Sequence, residues 1–172
     1  MNRKLFLQQM VLGSGIVGIA PGLLLAQNGS NLKKTPDDPL MPEKVKEFVI
    51  AGHGDFDKTK KMMQEVPSLI YATWDWGGGD FETALEGAGH VGNKEIANYL
   101  IGAGARTNLF VLTMLGKTTI VKAYLESYPA YLKARGPHGF TLLHHAQKGG
   151  EDARELLEYL QSKGLKESKM KL

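Results

Sequence analysis

Apolar residues recur with helical spacing in two stretches of the chain, and the two stretches match each other. Each stretch has six such positions. The first three are spaced three and then four residues apart, and the last three are spaced four residues apart. This is the spacing of an apolar face on an α-helix. Glycine at the third and sixth positions suits a tight turn and a helix C-terminus. The pattern predicts two helix–turn–helix units, built on Leu85, Ala88, Gly92, Ile96, Leu100 and Gly104, and on Leu143, Ala146, Gly150, Leu156, Leu160 and Gly164.

Two further stretches match each other at an offset of 62 residues. Each has a glycine turn, an amphipathic helix and a proline shortly after the helix, where a helix has to stop. The predicted helices are Phe56–Glu65 and Thr118–Ser127. Together the two pairs of stretches predict four consecutive units, at about 43–70, 80–107, 108–137 and 138–165.

The segment that opens the fourth unit carries a family signature. Residues 141–144 read Thr-Leu-Leu-His, and Ala146 and Gly150 follow them. This resembles the ankyrin repeat, whose period is about 33 residues and whose first helix opens with a Thr-x-Leu-His group. In the second unit Glu86 stands in place of the histidine. The resemblance implies an all-α ankyrin-repeat solenoid of about four helix–turn–helix repeats joined by finger-like loops, in which His144 steadies its own loop.

The N-terminal segment predicts export from a bacterial cell. Arg3 and Lys4 precede an uncharged apolar stretch, and residues 1–26 have the layout of a twin-arginine-like signal peptide, with lysine in place of the second arginine. That departure leaves the twin-arginine and Sec routes open. The alternative is a membrane anchor, but the apolar run of about 16 residues is shorter than the roughly 20 that span a bilayer. We expect a periplasmic or secreted protein, with a flexible linker at 27–41, a repeat domain at 42–165 and a basic, mobile tail at 166–172.

Composition argues against several kinds of function. The chain has no cysteine, which rules out disulfides, a thiolate nucleophile and Cys-ligated zinc. The net charge of +3 falls to +1 without Arg3 and Lys4, which is too balanced to indicate nucleic-acid binding. Gly116–Thr118 resembles the end of a phosphate-binding loop, but Val111 occupies the position of its first glycine. The five histidines lack metal-ligand spacing, so no metal and no cofactor are predicted.

The stretch Trp74–Asp80 is not required by the repeat. It falls between the first two units, where the family projects a finger, and tryptophan is frequent among the residues that anchor protein interfaces. Whether Trp74 and Trp76 are exposed or fold back over the first helix pair is open. Later fingers and the concave helix faces complete the predicted partner surface. That surface comprises Trp74, Asp75, Trp76, His90, Arg106, Phe110, Met114, Arg135, His138, His145 and Lys148.

These features favour a non-catalytic protein–protein interaction module, a monomer without nucleic-acid or membrane partners once its signal is removed. The partner would be a protein held by the loop fingers and the concave groove. The alternative is a small exported enzyme or ligand-binding protein, with a pocket near His144 and His145 or at Trp74–Asp80. A third interpretation, an inhibitor or immunity factor for an exported enzyme, differs from the first only in what is bound. Fold alone does not decide between them.

Overall fold

The structure is a computed structural model that describes residues 38–172. The predicted signal peptide at 1–26 and most of the predicted linker at 27–41 lie outside the described residues. Among the residues that are described, no helix combines the length and the apolar character needed to cross a membrane.

The described chain is mostly helical, and its α-helices pack as four consecutive pairs in sequence order. Short 3-10 helices follow the second helix of the first and third pairs, at Pro67–Tyr71 and Pro129–Lys133. Two more lie at Pro137–Gly139 and Gly150–Ala153. The α-helices are α1 (Pro42–Gly52), α2 (Phe56–Glu65), α3 (Ala84–Val91), α4 (Lys94–Gly102), α5 (Leu109–Met114), α6 (Thr118–Ser127), α7 (Leu142–Gly149) and α8 (Arg154–Ser162).

Side-chain caps explain where many of these helices begin. An oxygen of the residue before the helix accepts a hydrogen bond from a backbone N–H of the first turn, which satisfies a donor that the helix itself leaves unpaired. Thr83 does so for α3, and Glu86 bonds back to the Thr83 N–H to complete a capping box. The same role at other helices is taken by Asp55, Asn93, Asn108 and Thr141.

The predicted apolar faces are buried. Ala88 and Ala146 are inaccessible to solvent, as expected for small residues at a close helix contact. Gly92, Gly104 and Gly164 have positive φ angles at the ends of their helices. The helical spacing of the two matched series is therefore confirmed, and its other buried members are Leu85, Ile96, Leu100, Leu143, Leu156 and Leu160.

The connection between the first two helix pairs is a β-hairpin. Strand β1 (Thr73–Asp75) pairs antiparallel with β2 (Phe81–Thr83), and Trp74 lies opposite Glu82. Residues 77 to 79 between the strands are three glycines, all with positive φ. The hairpin and its turn carry the stretch Trp74–Asp80.

Four sequence-based predictions need correction. His90, Met114 and His145, predicted to face a partner, are buried because the inner faces of their helices pack against neighbouring pairs. The C-terminal tail, predicted to be mobile, is hydrogen-bonded to the loop before α7: the Thr141 N–H donates to Ser168 O, and the Met170 N–H donates to Gly139 O. The tail is therefore an ordered part of the fold.

Replacing Ala146 with leucine tests the packing of α7. Ala146 is fully buried, so the added atoms have no space, and overpacking should lower the free energy of unfolding by about 1 to 3 kcal/mol. Urea denaturation measures the change. The matched control is Gln147→Leu, which adds leucine at the next, exposed position of the same helix. Equal stability of the two variants would contradict the packing described.

His145 should make stability depend on pH. Burial lowers the pKa of His145 from its usual 6.5 to about 4. Between these values the unfolded chain binds a proton that the folded chain does not, so stability is complete above pH 6.5 and falls as the pH drops toward 4. The loss is on the order of 3 kcal/mol. Thermal melts from pH 7 to 4 should therefore show a shallower decline for His145→Gln than for wild type, and parallel declines would contradict the burial of a neutral imidazole.

Candidate metal centre

Four side chains with metal-binding atoms converge beside the β-hairpin. They are His53, Glu82, His90 and His138, and one ligand atom from each lies within 4.8 Å of all the others. Each comes from a different element: the residue that caps the C-terminus of α1, strand β2, helix α3, and the 3-10 turn Pro137–Gly139. The cluster therefore joins parts of the chain that are far apart in sequence.

His53 reaches the cluster because α1 and α3 approach closely. A Cβ atom on Gly87 of α3 would lie 2.7 Å from the His53 ring, so only glycine leaves room for the imidazole. The ring is fixed by Nδ1, which lies 2.9 Å from the Val49 carbonyl oxygen. A carbonyl can only accept, so Nδ1 carries a proton, and Nε2 is the atom directed into the cluster.

Glu82 is held at the centre by the hairpin. Its side chain is completely buried, and the Trp76 indole N–H donates to Oε2 at 2.8 Å. Trp76 follows β1 and Glu82 lies in β2, so the hairpin turn itself brings donor and acceptor together. A buried carboxylate is costly unless charges and donors around it compensate for lost hydration.

His138 is fixed by Asp80, which lies at the end of the hairpin turn. The His138 N–H donates to Asp80 Oδ1 at 2.7 Å, and His138 Nδ1 lies 2.6 Å from Asp80 Oδ2. His138 has a φ of 59°, and no other non-glycine residue in 38–172 has a positive φ. Such a backbone conformation persists only where its surroundings stabilise it, and such positions concentrate at functional sites.

Four distances within the cluster are close to those between ligands of one metal ion. His53 Nε2 lies 3.0 Å from His90 Nε2 and 3.5 Å from Glu82 Oε2. His90 Nε2 lies 2.8 Å from Glu82 Oε1, and His138 Nε2 lies 3.5 Å from Glu82 Oε2. Metal–ligand bonds of 2.0 to 2.1 Å at angles of 90 to 109° would place ligand atoms about 2.9 to 3.4 Å apart. These separations thus require little movement to coordinate a cation.

One oxygen of the buried carboxylate lacks a hydrogen bond. Glu82 Oε1 is inaccessible to solvent and accepts no hydrogen bond from the residues described, although His90 Nε2 is 2.8 Å away. The two atoms are therefore close together, but their angles do not fit an N–H···O hydrogen bond. A buried polar atom without a hydrogen bond is rare in native proteins and marks this oxygen as a candidate ligand for a cation.

Contact between Glu82 and His53 shifts the pKa of both groups toward their charged forms. Burial acts to raise the pKa of Glu82, but His53 and His90 outweigh burial and the pKa falls to about 2. The pKa of His53 is raised, chiefly by its contact with Glu82 and against the effect of its own burial. His53 thus holds a proton more readily than an ordinary histidine, and a metal has to displace that proton, so metal affinity should fall in acid.

The surroundings complete the features of a metal site. Metal-bound histidines usually donate their second ring N–H to a carbonyl or carboxylate, which fixes the ring and raises its basicity. His53 and His138 do this with Val49 O and Asp80 Oδ2. The Phe140 ring stacks on His90 at a centroid distance of 5.1 Å and covers it with apolar surface. The arrangement can hold a cation through nitrogen and oxygen, with its partners already oriented.

The structure gives the predicted partner residues different positions. His90 and His138 belong to the cluster. Trp74 is half-buried against the core, Trp76 is exposed at its edge but bonded to Glu82, and the Lys46 ammonium lies over both rings at 5.4 and 5.9 Å. The tryptophans therefore fold partly back over the first helix pair. Phe110 is half-buried beside His145, and the remaining predicted residues are exposed, namely Asp75, Arg106, Arg135 and Lys148.

Sequence reasoning predicted no metal and did not single out His53 or Glu82. The ligands do not share a helix with i, i+4 spacing; each sits in its own turn or element, and only packing brings them together. One signal was available: His53, His90 and His138 fall at or near predicted helix ends or in a predicted loop, and packed helix pairs can bring such positions close together.

No family model, curated protein or solved structure matches this chain.

Proposed function

We propose that this protein binds one divalent first-row transition-metal ion through the Nε2 atoms of His53, His90 and His138 and the carboxylate of Glu82. The observation that carries the proposal is the buried Glu82 Oε1, which lacks a hydrogen bond and lies 2.8 Å from His90 Nε2. A cation at this point would satisfy that oxygen and all three ring nitrogens at once.

A cluster held together by protons alone is the competing explanation. In that case one proton between His53 Nε2 and His90 Nε2, which are 3.0 Å apart, joins the two rings, with one ring donating and the other accepting. That proton then serves the contact between the rings and leaves Glu82 Oε1, 2.8 Å from His90 Nε2, without a donor. A cation shared by these atoms would satisfy Glu82 Oε1 as well, which favours a metal.

The ligand set indicates the class of metal. Imidazole suits zinc, copper, iron and nickel, whereas calcium and magnesium take oxygen ligands almost entirely. The cluster offers three nitrogens and one carboxylate, and the chain has no cysteine to supply sulfur. Magnesium and calcium should therefore bind weakly.

The position of the ligands favours a structural role for the metal. Four protein ligands are typical of closed structural sites, whereas catalytic zinc sites use three and keep one position open. The four ligands here join α1, β2, α3 and the turn before α7. A bound ion would connect the first two helix pairs to the loop that opens the fourth, and would stabilise the fold by mass action.

Metal titration tests the proposal. Chelator-treated protein should take up one equivalent of Zn²⁺ or Co²⁺ per chain, measured by competition with a chromogenic chelator. At a free metal concentration 1,000 times Kd, binding adds about 4 kcal/mol of stability. The melting temperature should then rise by roughly 10 °C. Magnesium at the same concentration should produce no rise.

The matched variants are His138→Asn and His145→Gln. Asparagine tolerates the positive φ of residue 138 but removes the ring nitrogen, so zinc affinity should fall by more than about tenfold. His145→Gln removes a histidine that lies outside the cluster and should bind zinc like wild type. Failure of wild type to bind, or equal binding by His138→Asn, would refute the proposed site.

A second candidate function is the protein–protein interaction predicted from the sequence. The specific observation that favours it is a group of three tyrosines, Tyr124, Tyr128 and Tyr131, whose rings contact one another at 5.1 to 6.3 Å. Tyr128 is 58% exposed and Ile120 nearby is 54% exposed. Exposed aromatic residues in a cluster are frequent at protein interfaces. An ankyrin-like solenoid and export to the periplasm would suit such a role, and both remain predictions.

A capture experiment tests this second function. Immobilised wild type should retain a protein from cell-envelope extract of the source bacterium, and Tyr128→Ala/Tyr131→Ala should lose it because the aromatic contact area is gone. Tyr71→Ala is the matched control, since Tyr71 is 53% exposed and outside the tyrosine group. Circular dichroism confirms that each variant is folded. Equal retention by all three proteins would show that the tyrosines are not the interface.

A further inference from the structure

The last residues of the chain pack as an extended segment along the loop that carries His138. The Met170 N–H donates to Gly139 O at 2.8 Å, and the Thr141 N–H donates to Ser168 O at 3.0 Å. The Thr141 hydroxyl donates to Glu167 O at 2.7 Å. These bonds form a short antiparallel bridge between Phe140 and Lys169. The segment 167–171 is therefore built into the fold.

The contact is close enough to require a specific residue on the loop. A Cβ atom on Gly139 would lie 2.0 Å from Met170 O, and Gly139 has a φ of 76°. Glycine thus permits both the turn and the approach of the C-terminal segment. On the other side of the loop, the Arg135 guanidinium donates to Lys171 O. The segment holds the loop both before and after His138.

A second layer of contacts connects the segment to His90. The Lys169 ammonium lies over the Phe140 ring at 4.8 Å from its centroid. Phe140 in turn stacks on His90 and, at 4.0 Å, on His144. The segment therefore supports a ring that covers one proposed ligand and a turn that carries another.

We infer that residues 167–171 position His138 for metal binding, so that docking of this segment and metal binding are thermodynamically coupled. The inference rests on the proposed metal site. His138 has a positive φ on a short turn, and fixing such a residue costs conformational entropy. When the segment is docked, part of this conformational entropy has already been lost before the metal binds. Linkage then requires the converse, that bound metal favours docking.

Met170→Pro tests the coupling from the side of the segment. Proline removes the N–H that bonds to Gly139 O but keeps the chain length and its extended conformation. Zinc affinity should fall by about 10- to 100-fold, as for other losses of support around a metal ligand. With Co²⁺ the visible spectrum should change in intensity and position, because a loosened His138 is replaced by water. A purely structural role would leave that spectrum unaltered.

The matched control is Leu172→Pro, at a position whose N–H makes no backbone hydrogen bond within residues 38–172. It should bind zinc like wild type and give the same cobalt spectrum. Wild-type affinity and spectrum in Met170→Pro would overturn the inference while leaving the metal site intact. Absence of binding by wild type would instead refute the proposed function, and the positioning role with it.

Amide hydrogen exchange tests the coupling from the side of the metal and needs no variant of the segment. In wild type, zinc should slow exchange at Met170 and Thr141, the two N–H groups that bridge segment and loop. In His138→Asn, zinc should leave both rates unchanged. Equal exchange with and without zinc in metal-binding wild type would overturn the inference.

Discussion

The buried carboxylate of Glu82 is the constraint on which this part of the structure depends. Its side chain has no access to water, and its pKa of about 2 keeps it charged under ordinary conditions. A charge in that position has to be compensated by neighbouring positive charge and donors. The Trp76 indole supplies a donor, and the imidazoles of His53 and His90 lie against the two carboxylate oxygens. The hairpin, the end of α1 and the face of α3 are arranged around this one group.

Close packing of helices makes the arrangement possible. Gly52 and Gly87 lie where α1 meets α3, and a Cβ on Gly52 would be 2.4 Å from Ala84 O. Bringing the helices this near places the α1 cap residue His53 beside His90, with ring centroids 4.8 Å apart. A larger residue at either glycine would separate two proposed ligands. The sequence features that pack the helix pairs are thus also those that assemble the cluster.

The helices could be predicted because their signals are local. The matched apolar series, the glycine stops and the capping residues each act within a few positions, and the buried Leu85 and Leu143 confirm the spacing. The cluster could not be predicted, because His53 and His138 are brought together only by the packing of helix pairs that are distant in sequence. Burial of Met114 and His145 was missed for the same reason: helical period defines a face, but not which neighbour covers it. The C-terminal tail was misjudged because its charge suggested solvation, while its order comes from backbone bonds to residues 139–141.

The two proposed functions use different parts of the chain. The metal site uses the hairpin, helix ends and the turn before α7, whereas the protein contact uses α6 and the 3-10 helix after it. Loops expected to present side chains to a partner direct several of them inward instead: Trp76 donates to Glu82, and His138 is held by Asp80. A residue engaged in this way cannot also be a freely adaptable binding anchor. The exposed aromatic area lies instead on α6 and the 3-10 helix after it, at Tyr128 and Tyr131. A bound metal would then affect partner binding only by stabilising the fold, and the tyrosines would make the contact with the partner.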